Sequence, residues 1–126
     1  MSRRIALLWS LILIALVVMS ACGAPQTNTD PLAEGQRMFT IWCSGCHALD
    51  PNGPVALGPG LAGIATRAAD NPDGLTAAEW LMRETVNPNI TLAPGYAPGL
   101  MPGDYGQRLR PEQLDAIVAF MLTLTE

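Results

Sequence analysis

Two cysteines and a histidine lie together in the pentapeptide Cys43-Ser44-Gly45-Cys46-His47. Two thiols three positions apart, followed directly by an imidazole, are the attachment signature of a c-type haem. The spacing has a chemical reason, because two thiols on one tight turn can each form a thioether with one vinyl group of a porphyrin. The adjacent imidazole of His47 can then supply the proximal ligand of the iron. The sequence therefore predicts one covalent haem c, and His47, the only histidine of the chain, as its first metal ligand.

Three other uses of this cysteine pair explain the sequence less well. A dithiol oxidoreductase of the thioredoxin type needs a βαβ context, and no such pattern is visible. A structural zinc ion needs four ligands, and the one remaining cysteine, Cys22, lies just after an apolar N-terminal segment. A disulfide between Cys43 and Cys46 is compatible with an oxidising compartment, but it leaves His47 unexplained.

The second metal ligand is predicted from the positions of the methionines. Thioether sulfur is a common partner of histidine on haem iron that transfers electrons. Met38, Met82 and Met121 fall in predicted helices and are interpreted as core residues. Met101 lies in a stretch rich in glycine and proline, where helical packing does not explain it. We predict His47 and Met101 as the axial pair, which leaves no site for a substrate; the alternative is a five-coordinate iron and a surface methionine.

Helix signals are clear at three places in the region that follows residue 29. Asp30 can cap a helix whose first residue is Pro31. Thr76 and Glu79 have the spacing of a capping box, and the helix that they open should end before Asn87, which precedes a proline. A further helix should begin near residue 111. No convincing alternating strand pattern occurs, so the predicted fold class is all-α, with three or more helices around one covalent haem.

Apolar residues at three- and four-residue spacing give the first and last predicted helices one buried face each. On the first helix these are Leu32, Gly35, Met38, Phe39 and Trp42, and on the last they are Leu114, Ile117, Val118, Met121 and Leu122, flanked by Phe120. Two stretches rich in glycine and proline, 51–63 and 88–106, separate the helices. Irregular stretches as long as the second one are usually functional in a compact domain.

The N-terminal residues predict export and a membrane anchor. Arg3 and Arg4 precede an uncharged run from Ile5 to Met19, which is typical of a secretory signal and short for a membrane span. The small residues before Cys22 resemble a bacterial lipobox, in which that cysteine is lipidated and becomes the mature N-terminus. An uncleaved signal anchor is the alternative. Both interpretations place the protein at a membrane, on its extracytoplasmic (periplasmic or outer) face.

Length and charge limit the organisation and the partners of the domain. We predict a signal peptide over 1–21, a linker from the lipidated Cys22 over 22–29, and one domain over 30–126. From Cys22 onward there are five arginines, eleven acidic residues and no lysine, a formal charge of −6. This charge argues against nucleic acid as a partner. Redox partners with a positively charged rim, or contacts that are mainly apolar, fit better.

With these residues in place, the chain resembles a class I cytochrome c domain over 30–126. Gly35 and Phe39 resemble the glycine and the aromatic residue of the family's first helix, at the point where it crosses the last helix. Ile117 and Phe120 resemble their partners on the closing helix. The resemblance implies a cytochrome c-like fold, one haem c and electron transfer without enzyme activity.

The resemblance also implies further cofactor-binding residues. The stretch 58–61 resembles the Gly-Pro-x-Leu turn of the family, in which the proline carbonyl accepts a hydrogen bond from the proximal imidazole. Pro59 lies twelve residues after His47, as this role requires. Three more side chains are expected at the haem propionates or the haem edge, with simple packing or a solvated charge as the alternative: Arg67, Trp80 and Tyr96.

The stretch from Val86 to Tyr96, together with Met101 and Pro102, is similar to short bacterial domains associated with respiratory oxidases and quinol-oxidising complexes. The implied function is a membrane-anchored monohaem carrier of single electrons between respiratory or photosynthetic chain partners. Its partners would be membrane redox complexes or another electron carrier. A fixed haem subunit of a quinol-oxidising or oxidase complex is the alternative, and a peroxidase or gas sensor would need a labile Met101.

Overall fold

The computed structural model describes residues 30–51 and 57–125, and the predicted signal peptide, the linker and Cys22 lie outside the described residues. The described residues form five helices and no strand, which confirms the all-α prediction. In chain order these are α1 (Pro31–Trp42), α2 (Ile64–Ala69), α3 (Ala77–Val86), α4 (Tyr105–Arg108) and α5 (Pro111–Met121). None of the described helices is long and apolar enough to cross a membrane.

The helix starts that the sequence predicts are present, with their caps. The carboxylate of Asp30 accepts a hydrogen bond from the backbone N–H of Leu32 at 3.0 Å, and Pro31 is the first residue of α1. At the start of α3, the Thr76 hydroxyl accepts from the Glu79 N–H at 3.3 Å, and the Glu79 carboxylate accepts from the Thr76 N–H at 2.9 Å. These caps satisfy backbone donors that the first turn of each helix leaves unpaired.

The core lies where α1 crosses α5, and α1 packs more extensively on α5 than on the other helices. A Cβ atom at Gly35 would overlap the carbonyl group of Ala116, so only glycine lets the two backbones approach this closely. Phe39 lies beside this contact with its ring centroid 5.4 Å from that of Phe120. Phe39 and Ile117 are each 1% exposed. The helix crossing implied by the family resemblance is therefore confirmed.

Two helices were not predicted. α2 has six residues, and its N-cap is Gly63, in a left-handed conformation with no side-chain cap. α4 has four residues and contains Gly106. Its first two residues are the last two of the stretch 88–106, which we expected to be irregular. The prediction that Leu32 is buried was wrong, because its side chain is 44% exposed. A periodic pattern defines one face of a helix, but it does not say how far along that face the partner extends.

α2 is fixed to the segment that follows α5. The backbone N–H of Ala65 donates to the carbonyl oxygen of Leu124 at 3.0 Å, and the Thr66 hydroxyl donates to the carbonyl oxygen of Thr125 at 2.8 Å. α3 packs against α2, α4 and α5. The helices and the two irregular stretches between them enclose a cleft, and α1 ends beside it.

Candidate haem-binding site

The turn that holds the cysteine pair continues directly from α1. The Cys43 N–H donates to the carbonyl oxygen of Phe39 at 2.8 Å, as a further helical residue would. The N–H groups of Cys46 and His47 then both donate to the carbonyl oxygen of Cys43, each at 3.0 Å. These bonds close a tight turn that keeps the two sulfurs and the imidazole next to one another. Both cysteines are half-buried, and they do not form a disulfide with each other.

The orientation of His47 is set by the segment that includes Pro59. His47 Nδ1 donates a hydrogen bond to the carbonyl oxygen of Pro59 at 2.8 Å. A carbonyl can only accept, so Nδ1 carries the proton and the lone pair of Nε2 is left for a metal. Gly58 lies against the same ring, since a Cβ there would be 2.7 Å from His47 Cε1. The contact that the sequence resemblance implied is present in the structure.

A cleft lined by the described residues brings the predicted site residues together. It is walled mainly by apolar side chains from α1, α3, α5 and the stretches between the helices. Of the residues predicted from sequence it contains Cys43, Cys46, His47, Pro59, Arg67, Trp80, Tyr96 and Met101. Met101 is half-buried and also packs against the core. Cys22, the predicted lipidation site, lies outside the described residues.

The walls of the cleft fit a flat apolar group with acidic substituents. Leu57, Leu92 and Leu100 line the cleft, yet their side chains are 60%, 44% and 45% exposed, which an apolar cofactor would cover. The indole Nε1 of Trp80 is buried and has no hydrogen-bond partner among the described residues. A buried donor needs an acceptor, and a carboxylate such as a haem propionate is one. The residues present therefore fit a haem.

The electrostatics of Cys43 argue against a reactive dithiol. Burial raises the pKa of the Cys43 thiol to about 11, and the neighbouring Cys46 adds to the shift. Cysteines that act in thiol–disulfide exchange have lowered pKa values, because the thiolate is the nucleophile. Cys43 is therefore a neutral thiol at neutral pH, unlike the attacking cysteine of an oxidoreductase.

Arg67 and Tyr96 lie at the cleft, but their predicted roles toward propionates stay predictions. The guanidinium of Arg67 donates to the carbonyl oxygens of Ala62 at 2.5 Å and Gly60 at 2.9 Å. It thus fixes the backbone that follows Pro59, which is a structural role that the sequence did not predict. Tyr96 is half-buried, and its backbone closes a local turn.

One cluster beside the cysteines was missed at the sequence level. The Tyr105 hydroxyl donates to the carbonyl oxygen of Trp42 at 3.3 Å, and the two rings meet edge to face at 6.4 Å. The guanidinium of Arg108 lies 4.7 Å from the centroid of the Trp42 ring, within cation–π distance. Trp42 and Tyr105 both line the cleft. Tyr105 lies inside the stretch 88–106, and a large aromatic residue in a segment rich in glycine and proline was the available signal for it.

Comparison with known families agrees with this geometry. The family model described as cytochrome c matches residues 32–125, which is most of the chain. The chain therefore belongs to the cytochrome c family: it is a class I cytochrome c with covalently bound haem c, and it transfers electrons rather than acting as an enzyme. No solved structure matches the chain.

The bound haem supplies an iron that takes up and releases one electron. The chain's own residues determine how it does so. Cys43 and Cys46 occupy the attachment positions at the end of α1. The Pro59 carbonyl holds the proton on His47 Nδ1 and so directs Nε2 into the cleft. With a haem in the cleft, its apolar walls would exclude water from this nitrogen, which would strengthen polar interactions there.

Proposed function

We propose that this protein is a membrane-anchored carrier of single electrons whose axial ligands are His47 and Met101. The observation that carries the proposal is that His47, with its proton fixed on Nδ1, and Met101 line the same cleft. Thioether sulfur stabilises the ferrous state and so raises the reduction potential. A pair of strong ligands that is the same in both oxidation states leaves no position for a substrate.

The test is the optical spectrum of the holoprotein, with Met101→Leu and Met82→Leu measured beside it. Leucine keeps most of the volume of methionine but has no sulfur. Met82 is half-buried on α3 and lies outside the cleft lining, so it is a matched control. We expect the wild type and Met82→Leu to show the weak far-red band of ferric iron with thioether ligation, and Met101→Leu to lack it. A high-spin wild type that binds carbon monoxide readily would contradict the proposal.

Membrane anchoring rests on the N-terminal sequence. Small residues precede Cys22 after a basic start and an apolar run, as in a lipoprotein signal. Lipidation would hold the domain at the extracytoplasmic face and raise its local concentration near membrane redox complexes or another electron carrier. Growth with a labelled fatty acid should label the wild type but not Cys22→Ser. An unlabelled wild type that still sediments with membranes would favour the uncleaved signal anchor instead.

A fixed haem subunit of a quinol-oxidising or oxidase complex is the alternative, and it would require an apolar docking patch. Several exposed apolar side chains, among them Leu57, Leu92 and Leu100, line the cleft, where the haem accounts for them. Leu32, Ile41, Leu49 and Ile90 are also exposed and lie outside the cleft lining, so the exposed apolar residues fit both functions. Purification in mild detergent distinguishes the two, because a fixed subunit would remain with larger chains and a carrier would elute alone.

A further inference from the structure

The stretch that carries Met101 is held by few contacts to the helices: the Thr91 hydroxyl donates to the Glu84 carboxylate at 3.1 Å, and Met101 packs against the core. Between the end of α3 and the start of α4 the backbone forms no regular structure. Two of its backbone hydrogen bonds only close local turns, from Ile90 to Asn87 and from Tyr96 to Ala93, each at 3.1 Å. Such turns shape short segments, but they do not fix where the two limbs of a long loop lie relative to each other.

One side chain joins the two limbs. The amide oxygen of Asn89 accepts a hydrogen bond from the backbone N–H of Gly99 at 2.8 Å, across ten residues of sequence. Asn89 lies three residues after the end of α3, which packs on the core. Gly99 lies two residues before Met101. It has a φ of +80°, a left-handed conformation that glycine adopts without strain.

We propose that Asn89 is a positioning residue that holds the sulfur of Met101 in the cleft. The proposal rests on Met101 being the axial ligand, and it adds the residue that keeps it there. Through Gly99, Asn89 joins the segment that follows α3 to the segment that carries Met101. Without this bond the limb that carries Met101 gains conformational freedom, and fixing it again for ligation costs entropy. Asn89 acts through Met101 and need not touch the iron.

The experiment measures how easily an added ligand displaces Met101 from ferric holoprotein. Imidazole competes with the thioether, so its apparent affinity reports the strength of the native ligation. For Asn89→Ala we expect about fivefold tighter imidazole binding, the fold-change given by the loss of one neutral hydrogen bond of about 1 kcal/mol. Asn89→Asp keeps an acceptor oxygen and should bind imidazole as the wild type does. The far-red band should also disappear at a lower temperature in Asn89→Ala than in Asn89→Asp.

Asn71→Ala is the matched control. The Asn71 amide donates to the carbonyl oxygens of Ala68 at 2.8 Å and Leu75 at 2.7 Å, in a loop that does not line the cleft. This variant should unfold at lower denaturant concentration while its imidazole affinity stays at the wild-type value. If Asn71→Ala tightened imidazole binding as much as Asn89→Ala, the effect would be a general loss of stability and the proposal would be wrong.

Two further outcomes are distinguishable. If Met101→Leu lost the far-red band but Asn89→Ala bound imidazole like the wild type, Met101 would remain the ligand and only the role of Asn89 would be refuted. If the wild type itself lacked the band, the axial assignment would fall, and the role of Asn89 with it. Should Asn89→Ala not accumulate as holoprotein, Asn89→Ser carries the same expectation, because its side chain is too short to reach the Gly99 N–H.

Discussion

Substitution of Gly35 by alanine tests the crossing of α1 and α5. The new Cβ would be 2.7 Å from the carbonyl carbon of Ala116 and 2.9 Å from Cβ of Phe120. An ordinary van der Waals contact begins at 3.4 Å, so relief of the contact with the carbonyl carbon alone requires a separation of about 0.7 Å, and the Ala116 oxygen, which is closer still, requires more. The closest obstacle is the backbone carbonyl of Ala116, which has no rotamer into which it can move away.

The expected cost follows from two opposing terms. Insertion of one carbon into a packed core typically costs about 1–3 kcal/mol, and the upper end applies here because the neighbour is backbone. Alanine in place of glycine inside a helix returns about 1 kcal/mol through helix propensity. We therefore expect Gly35→Ala to lower the free energy of unfolding by about 2 kcal/mol.

The assay is denaturant unfolding of the holoprotein, with Gly106→Ala as the matched control. Gly106 is also helical, but a Cβ there would meet Val86 at 3.7 Å, an ordinary contact. Gly106→Ala should therefore leave stability unchanged or raise it by up to about 1 kcal/mol. If Gly35→Ala unfolded at the wild-type denaturant concentration, the close approach of the two backbones would not be a real constraint and the reasoning would fail.

Three other changes test the site and the caps. Gly58→Ala would place a Cβ 2.7 Å from His47 Cε1. We expect this contact to weaken the binding of His47 to the iron, so the low-spin spectrum should be lost faster in acid than in the wild type. Trp80→Phe removes the buried indole N–H; if that group donates to a propionate, the midpoint potential should fall, and an unchanged potential in spectroelectrochemistry would exclude the contact. Hydrogen bonds from Thr76 hold the pKa of Glu79 below its usual value of 4.5. The ionised Glu79 cap therefore stabilises the folded protein fully above pH 4.5, and this stabilisation is lost as the pH falls through the lowered pKa of Glu79. The difference in free energy of unfolding between the wild type and Glu79→Gln should therefore shrink between about pH 7 and about pH 3.

The longer helices could be predicted because their signals are local. Asp30 and Thr76 cap the helices that they were expected to cap, and Pro111 opens the last one. The short helices could not be predicted in this way. α2 is too short for a periodic pattern, and its N-cap residue, Gly63, has no side chain that could cap the helix. α4 has a glycine as its second residue. Tertiary packing, rather than propensity, forms these two helices.

The site was predictable to a similar extent. Cys43, Cys46 and His47 could be predicted because the attachment motif is defined by residue types at a short, fixed spacing. The contact between His47 and Pro59 was predicted from the family resemblance. Asn89 was not found, because a hydrogen bond from a side chain to a backbone N–H ten residues away has no sequence signature. The hydrogen bonds from Arg67 to two backbone carbonyl oxygens were missed for the same reason.

The crossing of α1 on α5 also makes the attachment turn depend on the far end of the described chain. Gly35 and Ala116 come from nearly opposite ends of the described residues, yet their backbones are in direct contact. α1 alone is too short to be a stable helix in water, so its packing on α5 stabilises it. Because Cys43 continues directly from α1, a truncation that removes α5 would also remove the support of the turn that carries both cysteines.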